Sequence, residues 1–168
     1  MAELWTQIAE NLSFVLTCAA IVVGLALLAK LSEKYLPELR KVAPARRVSI
    51  ISICAAIATV LHILDFPLPF LAPGFYKLDF SELPVLLCGF YLGPCATVVC
   101  EAIKILLKLL LKSTSTAFVG DLANFVVGCS FVLPATIWYH LHKSKHSAII
   151  GLILGTVCMS VFGPAFNA

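Results

Sequence analysis

The sequence predicts an all-α, polytopic membrane helix bundle, and three observations carry that prediction. Of the 168 residues, 61% are hydrophobic and 12% are charged, with a mean hydropathy of +1.01. That balance lies far from a soluble domain. The apolar residues fall in runs that suit a hydrocarbon core of about 30 Å at about 1.5 Å per helical residue. Short basic, polar or proline-broken stretches separate the runs. A chain of this length holds one bundle and no second domain.

The first run covers 12–31. The leader before it has no basic character, so no cleavable signal peptide is expected. A basic linker follows, with Lys30, Lys34, Arg40, Lys41, Arg46 and Arg47 against Glu33 and Glu38. The second run covers 48–64. The stretch 66–84 is too rich in proline for a helix and too rich in Phe and Leu for a solvated loop. Irregular backbone near a bilayer persists where it is buried in protein or lines a cavity. The stretch therefore reads as a lid or pocket wall that turns aromatic faces such as Phe70 and Tyr76 to a ligand.

Asp79 is expected to cap the next helix, with Glu82 three residues on as in a capping box. Gly93-Pro94 ends that helix after about fourteen residues, short of a full crossing, so it should begin at depth. The next helix spans about 95–112, and 113–117 is a polar connection. Another helix spans about 118–139, and 140–146 is a second basic turn. The last run begins at 148. Positive loops mark the cytoplasmic side, which puts 30–47 and 140–147 inside, and 66–79 and 113–117 outside. Lys104, Lys108 and Lys112 argue mildly for the reverse.

Seven cysteines lie inside apolar spans with no CxxC pair, so free thiols are expected rather than a disulfide framework or zinc site. No nucleophile elbow, HExxH or glycine-rich phosphate loop occurs, so catalysis is not expected, and without a Walker motif the chain cannot drive ATP-powered transport unaided. Glu101, Lys104, Lys108 and Lys112 form one helical stripe. It is either a polar pocket wall or an internal Glu101–Lys104 pair with lysines snorkelling outward, and the second reading is favoured. Asp79, Asp121, Asn124 and Asn167 are expected at one outer level beside the aromatic stretch. A few fixed polar groups in an apolar cavity make a small-molecule site. Singly, each has a plainer reading, as a helix cap or an interhelical contact. His62, three residues before Asp65, is expected in the core or an interface. His140, His142 and His146 lack nearby carboxylates or thiolates, so no metal is expected. Ser52/Ala56, Cys54/Ala58 and Ala55/Thr59 are small-residue pairs that let another helix approach, inside this bundle or from a partner.

Several segments resemble one family. Phe66-Pro-Leu-Pro-Phe-Leu and Leu78-Asp-Phe-Ser-Glu-Leu-Pro84 are similar to the first loop and second core helix of riboflavin-specific S components, the substrate-binding subunits of energy-coupling factor (ECF) transporters. Leu92-Gly-Pro94, Gly120-Asp-Leu-Ala-Asn-Phe125, Ser130-Phe-Val-Leu-Pro134 and Gly151-Leu-Ile-Leu-Gly-Thr156 also resemble it. The resemblance covers about 46–167. It implies an S-component-like bundle in the bacterial cell membrane that takes up riboflavin as a transported ligand with high affinity and uses no cofactor. It implies a coupling subunit in the membrane and two ATPase subunits as partners.

By the same resemblance, ligand contacts fall on Leu78, Asp79, Asp121, Asn124 and Asn167, with Asp121 standing where the family has Glu. The coupling-subunit interface falls on Ser52, Ala55, Ala56 and Thr59. Residues 1–45 form an extra N-terminal span and basic linker. The 46–168 segment is expected to be C-terminally incomplete, lacking the family's last core helix and its lysine. Two other readings stand beside this one: an S component for another vitamin, and a non-transport membrane scaffold protein.

Overall fold

A computed structural model describes residues 12–34, 42–64, 66–67, 77–112 and 119–167. Among these residues the fold is six α-helices and one minimal hairpin. The helices are α1 (Leu12–Lys34), α2 (Pro44–Ile63), α3 (Glu82–Leu92), α4 (Pro94–Leu111), α5 (Val119–His142) and α6 (Lys145–Asn167). Between α2 and α3, β1 (Phe66–Pro67) pairs antiparallel with β2 (Lys77–Leu78), Phe66 opposite Leu78 and Pro67 opposite Lys77. The apolar proline-rich stretch is thus pinned at both ends by a two-residue ladder.

Proline and glycine set the boundaries. Pro44 opens α2 within its first turn, where its missing N–H is no loss. Gly93 ends α3 and opens α4 with φ 96°, a backbone that favours glycine. Pro94 then starts α4. The eleven residues of α3 reach about 16 Å at about 1.5 Å each. The helix is therefore too short for a full crossing of a hydrocarbon core, as expected.

Two expectations about caps and turns change. Ser81, not Asp79, stands at the N-cap position of α3, and it makes no side-chain cap bond. Asp79 Oδ1 instead accepts the Ser81 N–H at 2.7 Å, just ahead of the helix. Glu82 does not close a capping box because its carboxylate is drawn to Lys104 Nζ, 2.8 Å away. The second basic turn shrinks to Lys143 and Ser144, since α5 runs through His142 and α6 begins at Lys145. His140 is helical and buried, with its Nε2 2.9 Å from the Gly89 carbonyl. That contact extends α5 beyond the expected end.

The core lies where α2, α3, α4 and α5 meet, around Ala55, Val85, Cys88, Ala96, Cys100 and Val132. A second cluster joins α1 to α4 and α5 through Ala29, Ile105, Phe125 and Val126. Arg47 and Glu33, 2.6 Å apart, fasten the end of α1 to the start of α2. Helix α6 lies along α5, more extensively than any other pair of helices packs. A Cβ added at Gly155 would stand 2.3 Å from the Phe131 carbonyl oxygen, and one at Gly151 2.8 Å from that of Ala135. Small residues at a four-residue interval let the two backbones nearly touch.

The distribution of polarity is that of a membrane protein. Leu27, Ile53, Leu87, Leu110, Ile153 and Val157 are all more than half exposed, while Glu101, Lys104, Thr97 and Thr136 are fully buried. Apolar surface outside and polar groups inside suit lipid as the solvent. Two helices, Pro44–Ile63 and Gly120–His142, are long and apolar enough to cross a membrane.

Candidate functional site

The polar residues converge at one end of the bundle, where α2 finishes and α3 and α5 begin. His62 sits in the last turn of α2. The hairpin ladder brings the chain back, so that Asp79 arrives beside it after seventeen positions. His62 Nδ1 lies 2.6 Å from Asp79 Oδ2. On the other side of the ring, Nε2 lies 3.3 Å from Asn124 Nδ2 on α5. Asp79 Oδ1 takes the Ser81 N–H. Lys104 on α4 donates from Nζ to Ser81 Oγ at 3.2 Å and to Glu82 Oε1 at 2.8 Å, and lies 2.7 Å from Glu101 Oε1. One chain of polar contacts thus links Asn124, His62, Asp79, Ser81, Lys104, Glu82 and Glu101 across four helices.

Asp79 remains half-accessible. Burial pushes its carboxyl up, but the His62 bond and the Ser81 backbone N–H outweigh that and hold it well below the usual carboxylate range. It is a charged acceptor at neutral pH. Deeper in, one ammonium serves two carboxylates. Lys104 and Glu101 are fully buried, and Glu82 Oε2 and Glu101 Oε2 have no hydrogen-bond partner among the described residues. The Glu101–Lys104 approach is an ion pair rather than an aligned hydrogen bond, since Glu101 Oε1 lacks a bond of acceptable angle. Gly128 leaves room for this cluster: a Cβ there would stand 2.5 Å from Glu101 Oε1 and 3.0 Å from Glu82 Oε1.

The expected site residues divide as follows. Asp79 and Asn124 are brought together through His62. Asp121 is buried and paired with Lys108, so its carboxylate is committed inside the bundle. Leu78 lies in β2, described at the level of backbone. Asn167 is the last residue of α6, and its side chain lies outside the described residues, as do Phe70 and Tyr76. On α2, Ala55 and Thr59 are buried, with the Thr59 hydroxyl bonded to the Ala55 carbonyl at 2.7 Å. They face the bundle interior and are already covered. Ser52 and Ala56 are exposed. The expected internal Glu101–Lys104 pair forms at 2.7 Å, whereas Lys108 meets Asp121 inside instead of snorkelling outward.

His62, expected in the core or an interface, lies between helices, and its part in the site is what sequence reasoning missed. Its nearest acid in sequence is Asp65, but its partner is Asp79, across the hairpin. Two apolar grooves of about 350 and 440 Å3 flank α1, against α4 and α5 and against α5 and α6. Neither is lined by His62, Asp79 or Asn124.

Residues 46–168 match a family profile described as ECF transporter, substrate-specific component. A riboflavin transporter, RibU, of Staphylococcus aureus (strain TCH60) is 42% identical over 112 residues, which are 67% of this chain and 58% of that one. The riboflavin transporter FmnP of Bacillus subtilis (strain 168) is 32% identical over 123 residues, 73% of this chain and 64% of that one. The chain therefore spans about three fifths of the length of these curated relatives. A solved structure described as the S component of a bacterial ECF transporter superposes with a TM-score of 0.62 at 40% identity, covering 71% of this chain and 69% of that one.

Proposed function

The chain belongs to the family of substrate-specific components of ECF transporters, and we propose that within it this protein is the riboflavin-binding subunit. The family is one of transport components, not enzymes. Riboflavin is the cargo rather than a cofactor. The observation that carries the reading is the Asp79–His62–Asn124 constellation, partly buried at the end of the bundle where α2 finishes and α3 and α5 begin. A flavin combines a flat apolar ring with a chain of hydroxyls. Aromatic faces such as Phe70 and Tyr76 suit the ring. The Asp79 carboxylate and the Asn124 amide suit hydroxyl donors. Leu78 and Asn167 complete the contact set. The riboflavin transporters among its relatives support the choice of cargo.

Uptake would require partners, since binding alone moves nothing. The chain carries no Walker motif, so ATP hydrolysis falls to two ATPase subunits acting through a membrane coupling subunit. Ser52 and Ala56, exposed on α2 between Ile53 and Ile57, offer that subunit a close approach. The protein resides in the bacterial cell membrane and crosses it several times.

The test is quenching of riboflavin fluorescence by the purified protein, with thiamine and biotin as competitors. Saturable quenching that neither competitor reverses is expected. Selective binding of another vitamin would overturn the cargo. Co-purification with a coupling subunit and two ATPases from cell membranes is the outcome expected for a transport component, and isolation from those membranes without any such subunit would overturn the assembly.

A further inference from the structure

The ring of His62 meets two partners of opposite demand. Nδ1 lies 2.6 Å from Asp79 Oδ2, and an ionised carboxylate only accepts, so Nδ1 carries the proton. Nε2 lies 3.3 Å from Asn124 Nδ2. An amide nitrogen only donates, so Nε2 is the bare, accepting nitrogen. A single neutral tautomer satisfies both contacts. It also fixes what the partners present. Asn124 gives its Nδ2 to the ring and turns Oδ1 away from it. Asp79, held by His62 and by the Ser81 N–H, stays a carboxylate.

We propose that His62 is a positioning residue for cargo recognition: its Nδ1–H tautomer sets Asp79 and Asn124 Oδ1 as a pair of acceptors that select hydroxyl or ring N–H donors on the ligand. The inference rests on the riboflavin reading and gives that site its polarity. A doubly protonated ring reverses half of the arrangement. Nε2–H then faces the Asn124 NH2, and the amide must flip, presenting donors where the ligand also brings donors. The proton is taken up from solvent and resides on Nε2. Asp79 spends more of its charge on the imidazolium. The charged groups on the surrounding elements are Asp79 ahead of α3, Glu82 on α3, Lys104 and Lys108 on α4 and Asp121 on α5. Among the described residues Asp79 is the one in contact with the ring. Lys104 and Lys108 are engaged with carboxylates of their own. The acceptor pair therefore depends on a ring that carries a single proton, on Nδ1.

The test uses the full chain and riboflavin fluorescence quenching. His62→Gln offers one donor and one acceptor at similar reach and is expected to keep affinity to within about fivefold of wild type. His62→Ala is expected to bind about 10- to 100-fold more weakly, as for lost bonds to a charged group. Helix content by circular dichroism checks that both variants fold. Side-chain 15N spectra of labelled histidine read the tautomer without ligand, and Nδ1–H with bare Nε2 is expected. Three results overturn the proposal: His62→Ala binding like wild type, His62→Gln binding as weakly as His62→Ala, or the Nε2–H tautomer. Failure of the wild type to bind riboflavin at any pH overturns the functional reading, and this proposal with it. Riboflavin binding together with any of the three results overturns the proposal alone.

Discussion

At the polar end of the bundle, Lys104 draws Glu82 and Glu101 to 2.8 and 2.7 Å. Along the α5–α6 seam, Gly151 and Gly155 let backbone approach backbone. The first region is held by directed bonds between groups that are costly to bury. The second is held by shape, with lipid-facing residues such as Ile153 and Val157 on the far side. In lipid, apolar burial gives helices little reason to associate, so each region needs another source of adhesion. The polar one is specific but fails badly when one member is lost. The close-packed one tolerates no added volume but is indifferent to charge and pH.

Three substitutions would break or sharpen that contrast. Lys104→Met is expected to have the largest effect, about 3–5 kcal/mol, because it leaves two carboxylates buried without their ammonium. Thermal melting in detergent reads the loss. Adding Glu82→Gln and Glu101→Gln should recover most of it, and no recovery would show that packing rather than charge governs the site. Gly155→Ala should cost about 1–3 kcal/mol, the usual penalty of overpacking, with riboflavin affinity per folded molecule unchanged. A flavin-binding defect in that variant would break the division between the two regions.

Asp79→Asn should be the mildest for stability, about 1 kcal/mol for a half-accessible hydrogen-bonded charge, while weakening riboflavin binding about tenfold. Its pH signature follows from the depressed pKa. The folded state binds the proton less readily than the unfolded chain, whose aspartates titrate near about 3.9. The stabilisation is therefore fully present above that value and is lost as pH falls below it. The melting difference between wild type and Asp79→Asn should shrink under about pH 4. A gap that closes already near pH 6 would sink the assignment.

The helices and their breaks were largely legible in the chain, because hydropathy and proline or glycine act over a few neighbours. The Gly93-Pro94 break, the short α3 and the polar level containing Asp79 and Asn124 all followed from local signals. What escaped depended on contacts between distant residues. Asp79 read as a cap because Glu82 stands three residues on, yet Lys104 claims Glu82. His62 read against Asp65 because a ladder of two residues at 66–67 and 77–78 leaves no strand signal of useful length. The α2 small residues at 52, 55, 56 and 59 read as one seam, although a helix turns 55 and 59 inward and leaves 52 and 56 outside. Small size alone does not say which way a residue faces.

The corner at Gly93 has a geometric consequence. Glu82 and Lys104 each stand eleven positions from it, one down α3 and one along α4. At about 1.5 Å per residue both arms climb about 16 Å from the bend, so the carboxylate and the ammonium arrive at equal height. The hairpin of helices behaves as a pair of matched rulers folded at a single joint. One residue inserted in either arm would raise its mark by about 1.5 Å and swing it about 100° around its axis. The joint therefore sets the vertical scale of the whole polar chain above it, including the level at which Asp79 meets His62.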